Sequence, residues 1–175
     1  SVICLVGSLS GVSRAQFNHL PADGLRSIVI PPDTLRAGPL AEAWVRQNAA
    51  IGEALAAAQD IAILIGAGAH PDPAEGLVLC RALAQMIAPH MARAGGLIAT
   101  GGETARAVLL ALDAPALRLV GQVESGVPRS EIAGGPHAGL PVITKAGGFG
   151  APDTLAHCRA VLRADPATAP LRVRI

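Results

Sequence analysis

Two glycine-rich runs hold the residues best suited to chemistry: Thr100-Gly101-Gly102-Glu103-Thr104, and TKAGGFG from Thr144 to Gly150. The first lies between a short apolar run, Leu97 to Thr100, and a helix predicted to open at Glu103. A strand that passes through glycines into a helix points backbone N–H groups outward at the positive end of the helix dipole, where an anion binds. Glycines there allow positive φ and close approach of a ligand to the backbone. Glu103 in the first turn suits the dipole. It also suits a ribose hydroxyl or a hydrated magnesium ion. In the second run stands Lys145, the sole lysine beside thirteen arginines. A compact ammonium among glycines fits either phosphate oxygens or a solvated hairpin end. A third small-residue loop carries Ser8 and Ser10 after the apolar run VICLVG. Read together, the loops predict a cradle for nucleotide phosphates, and Gly101→Val is expected to abolish binding in a folded domain.

Other chemistries lack their motifs. Gly66-Ala67-Gly68 misses the third glycine of the dinucleotide fingerprint, and Gly7 to Arg14 lacks the Walker lysine. The five histidines show no metal-ligand spacing, no G-x-S-x-G elbow occurs, and His70 with Asp72 reads as a solvated turn. No metal site of protein ligands is predicted. With no Tyr, one Trp and two Phe, the chain must hold a base mainly with aliphatic side chains; Phe149 is expected to pack as an anchor.

The loops need elements to position them. Val2 to Gly7, Ile61 to Ile65 and Leu97 to Thr100 are continuous apolar runs, as strands buried on both faces require. Leu25 to Ile30 reads as a further strand, stopped by Pro31-Pro32. Helices are predicted over Ala15 to Leu20 with Ser13 as cap, over Pro39 to Ala58 with Leu40, Ala43, Trp44, Ile51 and Leu55 inward, over Leu77 to Ala94, and from Pro152 to Arg163. Ala116 to Val123, Val127 to Gly135 and Leu140 to Lys145 predict a β-meander, and Leu171 to Ile175 an edge strand. The fold class is α/β: a mixed, mostly parallel, Rossmann-like sheet flanked by helices, with the meander near the C-terminus and residues 1–175 as one domain. Ligands of such sheets bind at the carboxyl ends of the strands, so the loops after Gly7, Thr100 and Lys145 are expected to converge.

Composition narrows the class further. A net charge of +1 argues against a nucleic-acid surface, and no apolar run is long enough to span a membrane. Cys4, Cys80 and Cys158 are scattered and odd in number, which predicts buried, reduced thiols in a cytoplasmic protein. The chain starts without Met and enters a strand within two residues, so a preceding domain or a processed tag is expected.

The ordered succession IATGGETARAVLLAL, LVGQVESGVPRSEIAGG and GLPVITKAGGFGAPDTL, opened by GSLSGVSRAQ, resembles the C-terminal nucleotide-binding domain of the four-carbon acid sugar kinase family. The resemblance covers nearly the whole chain. It implies an ATP- and magnesium-dependent kinase that phosphorylates the 4-hydroxyl of threonate, erythronate or 3-oxo-tetronate. It places ATP contacts on Ser8, Ser10, Gly101, Gly102, Glu103, Thr104, Gly147 and Gly148, beside Lys145. It also implies an N-terminal acid-sugar-binding domain as partner, without which this chain is inactive. Gln122, Ser125 and Ala151 depart from the family pattern and bear on substrate subtype. The rival expectation is a stand-alone, non-catalytic nucleotide- or anion-binding module.

Overall fold

The computed structural model describes residues 1–7, 10–67 and 75–164. The readings of Ser8, His70, Asp72 and the strand Leu171 to Ile175 lie outside them. One seven-stranded sheet organises the rest: β1 (Val2–Val6), β2 (Leu25–Ile30), β3 (Asp60–Ile65), β4 (Gly96–Thr100), β5 (Leu117–Glu124), β6 (Val127–Ile132) and β7 (Pro141–Lys145). The strand order is β2-β3-β1-β4-β7-β6-β5. The first five in this order are mutually parallel, while β6 runs antiparallel to both β7 and β5 and forms with them the expected meander.

Every residue of β1, β3 and β4 is buried, because helices cover both faces. Alternate side chains enter two separate cores. Ile3, Leu5, Ile61, Ile63, Leu97 and Ala99 pack with α2 (Pro32–Ala37), α3 (Glu42–Ala56), α4 (Gly76–Ile87) and α5 (Gly102–Ala111). Val2, Cys4, Val6, Ala62, Leu64 and Ile98 pack with α1 (Gly11–Asn18) and α6 (Thr154–Ala164). The α/β, mostly parallel sheet expected from the sequence is the one that forms.

Several boundaries differ, each for a local reason. Pro31-Pro32 ends β2 but also starts α2, since proline at the first helical position gives up an N–H that has no helical partner anyway. Gly38, at φ 76, then closes α2, so α3 starts at Glu42 and Leu40 stands 99% exposed outside it. Trp44, Ile51 and Leu55 do face the core. Pro89 cannot donate to the carbonyl four residues back, so α4 stops at Ile87 and tightens into a 3₁₀ segment, Ala88–Arg93. α1 begins at Gly11, which puts Ser13 inside the helix rather than at its cap.

Cys4, Cys80 and Cys158 are free and buried, as expected. Burial and then the neighbouring Cys158 push Cys4 up to about 12. Burial and then Glu124 push Cys158 up to about 12. Burial also raises Cys80, although the Thr104 hydroxyl opposes it. Thiol reagents attack thiolates, which these sites disfavour. The native chain at pH 8 is therefore expected to titrate no thiol within minutes, and the denatured chain to titrate three. A fast-reacting thiol in the folded chain contradicts this packing.

Candidate functional site

Strands β1, β4 and β7 are adjacent and parallel, so the loops that follow them leave the sheet at the same edge. The chain then departs in opposite senses. From β1 it runs through α1 to β2 on one side, and from β4 through α5 to β5 on the other. α1 and α5 also cover opposite faces. Such a reversal opens a crevice between the two strands at their carboxyl ends, where a ligand meets backbone rather than side chains. The expected convergence of the three loops follows from this topology.

Gly101 turns the chain from β4 into α5 with φ 97 and ψ 133, a conformation suited to glycine. Its N–H donates to the Lys145 carbonyl at 2.8 Å, which ties the β4 loop to the end of β7. Gly7, at the end of β1, packs so closely on α5 that a Cβ there would collide with the Thr104 hydroxyl. Thr104 is buried with its hydroxyl 3.5 Å from Cys80 Sγ, so it braces α4 against α5 from below the crevice. No side chain caps α5, which leaves its first-turn amides available. Gly102 and Glu103 are exposed at that end, and a Cβ on Gly102 meets nothing within 4 Å. Ser10 occupies the cap position of α1, and its carbonyl accepts from Arg14 N at 3.1 Å. Ser8 lies outside the described residues.

Lys145 is neither a solvated hairpin lysine nor turned outward. It is 3% exposed, and its ammonium donates to the carbonyls of Ala146 and Phe149, both at 2.9 Å. Register explains the direction. Lys145 pairs with Thr100 and shares a face with Ile143, which belongs to the α1–α6 core. Burial holds its pKa below the ordinary lysine value, with Cys158, Cys4 and then Glu124 opposing that shift.

Two residues of α1 that carried no functional expectation hold the same loop. Ser13 Oγ donates to the Gly147 carbonyl at 2.5 Å, and Gln16 Nε2 donates to the carbonyls of Phe149 and Ala151 at 3.0 and 2.7 Å. Their signal in the sequence is the spacing Ser13, Gln16, Phe17, an i, i+3, i+4 stripe that faces inward; all three are buried. Phe149 does not serve as a core anchor: it is 57% exposed and rests against Gly126 in the β5–β6 turn.

These bonds fix which way the loop's amides point. In a trans peptide the C=O and the next residue's N–H are antiparallel, and no peptide bond here is cis. Capturing the carbonyls of Ala146, Gly147 and Phe149 on the inner side therefore turns the N–H groups of Gly147, Gly148 and Gly150 away from it. All three belong to glycines, and a Cβ on Gly148 meets nothing within 4 Å. Outward N–H groups gathered in one tight turn can form a nest for anions, and the buried ammonium lies behind it. With the uncapped start of α5, this edge fits a polyphosphate. Among the described residues no group of three or more His, Cys, Asp or Glu could hold a metal, so magnesium fits here only through phosphate oxygens and water, with Glu103 as the neighbouring carboxylate.

The chain is similar to known proteins along most of its length. The family model described as nucleotide-binding C-terminal domain matches residues 3–155. The chain is 44% identical over 160 residues to a D-threonate kinase of Cupriavidus necator, covering 89% of this chain and 38% of that protein. It is 51% identical over 70 residues to a D-threonate kinase of Bordetella bronchiseptica, covering 40% of this chain and 17% of that one. A solved Bordetella bronchiseptica structure, described as a domain of unknown function with bound citrate in a domain-swapped dimer, is similar with a TM-score of 0.76 and 32% identity. The match covers 93% of this chain and 39% of that one. A Haemophilus influenzae structure at 15% identity and a TM-score of 0.67, covering 92% of this chain and 40% of that one, shares the fold.

Proposed function

We propose a function for this chain, which belongs to the C-terminal nucleotide-binding domain family of the four-carbon acid sugar kinases: it is the ATP-binding part of such a kinase. The observation that carries the proposal is the meeting of three glycine- and serine-bearing loops at the carboxyl ends of β1, β4 and β7. In this reading the amides of Gly102, Glu103 and Thr104 and those of Gly147 and Gly148 hold phosphate oxygens. Gly101, whose own N–H is committed to the Lys145 carbonyl, allows the close approach, and Ser8 and Ser10 are proposed as contacts from the β1 loop. Lys145 acts from behind: it keeps the loop's carbonyls turned inward and adds a positive potential beneath the phosphates. Glu103 faces the ribose or the hydrated ion. Magnesium, when bound, neutralises charge on the β- and γ-phosphates. What the chain itself supplies to phosphoryl transfer is positioning and fixed dipoles.

The acceptor is proposed to be the 4-hydroxyl of a four-carbon sugar acid (threonate, erythronate or 3-oxo-tetronate), held by an N-terminal domain of the same protein. The chain spans 38% of the length of the Cupriavidus necator relative, which leaves ample chain for such a domain. Among the described residues no helix is long and apolar enough to cross a membrane, and the proposed setting is the cytoplasm.

A ligand that binds only the folded state stabilises it. ATP with magnesium at about 100 times its Kd adds about 2.7 kcal/mol. For a chain of this size that raises Tm by roughly 5–11 °C. No shift with ATP at millimolar concentration sinks the proposal. The 175 residues alone are expected to phosphorylate no tetronate, and turnover by them would overturn the assignment of the acceptor to another domain.

A further inference from the structure

We propose that Gln16 is a positioning residue for the phosphate cradle: from inside α1 it sets the direction of the Gly150 amide, and its neighbour Ser13 does the same for Gly148. The inference rests on the reading of the glycine loop as an anion site and goes beyond it by assigning control of the loop to two buried side chains inside α1 that bond the loop's carbonyls rather than the anion.

Gln16 is fully buried, and its Nε2 bridges the carbonyls of Phe149 and Ala151 at 3.0 and 2.7 Å. Two acceptors at hydrogen-bond distance fix which end of the amide is nitrogen. The Phe149 carbonyl is thus held twice, by Gln16 and by Lys145. A carbonyl held from two sides cannot flip, so the Gly150 N–H in the same peptide stays turned the other way. Gly150 itself needs its glycine: at φ 89, a Cβ would collide with the Thr154 side chain. Ser13 repeats the device two peptides earlier through the Gly147 carbonyl. Phe149 N donates to the Ala146 carbonyl at 3.1 Å, so the turn closes on itself and only glycine amides are left to face outward. Backbone alone would let a glycine-rich loop sample both directions of each peptide. The polar stripe on α1 selects one.

The test is a titration of the ¹⁵N-labelled chain with inorganic tripolyphosphate and with magnesium-ATP, read at the glycine amides and by calorimetry. In the parent chain the amides of Gly102, Gly148 and Gly150 are expected to shift on binding. In Gln16→Leu the Gly150 shift is expected to vanish while the Gly102 shift persists, with affinity for both ligands about tenfold weaker. A merely structural role would lower Tm and leave the Gly150 shift intact; that outcome overturns the inference. If Gln16→Leu does not fold, Ser13→Ala, which gives up a single bond, carries the same test at Gly148. A parent chain that shifts at Gly102 but at neither loop glycine also overturns it, and leaves the α5 site standing. A parent chain that shifts at none overturns the proposed function itself.

Discussion

Gly102→Val is expected to weaken ATP binding at least ~100-fold, the cost of losing two charge-assisted hydrogen bonds, while Tm moves by no more than about 2 °C. The two effects separate because of where Gly102 sits. It is the first residue of α5, exposed, outside the positive-φ region, and a Cβ there meets nothing within 4 Å. Valine in a helix costs slightly less than glycine, so the fold tolerates it. Its isopropyl group would stand over the uncapped amides of the first turn, where phosphate oxygens must come within hydrogen-bond distance. The neighbouring Gly101→Val does not make this separation, contrary to the expectation from sequence. At φ 97 any side chain strains the backbone, and lost binding there would report a damaged turn. Calorimetry with magnesium-ATP and a thermal melt on the same sample decide the matter. Unchanged affinity in a folded Gly102→Val places the phosphates elsewhere.

The difference between these adjacent glycines marks what the sequence could and could not carry. Continuous apolar runs ending in small residues are what central parallel strands look like, so β1, β3 and β4 and the loops after them were legible from hydropathy alone. Loop convergence then followed from the rule for parallel sheets. The direction of Lys145 was not legible. A lone lysine among glycines reads the same whether it meets a phosphate or its own loop's carbonyls, and only its pairing with Thr100 decides which face it takes. Gln16 and Ser13 were missed for a related reason. Polar residues on a short helix look solvated until the loop carbonyls they serve are seen more than 130 residues away in the chain. Phe149 was misjudged because apolar character was taken as burial, although single exposed aromatics are ordinary at a surface.

The strongest effect on stability is expected at the opposite edge of the sheet, from Asp60→Ala. Asp60 opens β3 and is buried; its Oδ1 accepts from Val2 N at 2.8 Å and its Oδ2 from Arg159 Nε at 2.7 Å, with Arg163 Nη1 at 3.4 Å. Arg159 is equally buried and spends its other nitrogens on the carbonyls of Asp23, at 2.6 Å, and Pro21, at 3.5 Å. One carboxylate thus joins the starts of β1 and β3 to the last turns of α6. Removing it strands a guanidinium with only carbonyl partners, a loss of about 3–5 kcal/mol. For a chain of this size Tm falls by roughly 6–20 °C. Because the cost comes from the uncompensated charge, replacing both partners with apolar groups, Asp60→Leu with Arg159→Met, is expected to recover much of it. A double variant no better than Asp60→Ala would show that the Val2 N–H bond, and not the ion pair, sets the stability. Affinity for ATP should stay within about twofold in whatever remains folded, because a strand of five or six residues puts about 17 Å between this edge and the phosphate loops. A large loss of affinity in folded Asp60→Ala would mean that the two edges are coupled through the central strands, and would require the cradle to depend on more than the local bonds of Ser13, Gln16 and Lys145.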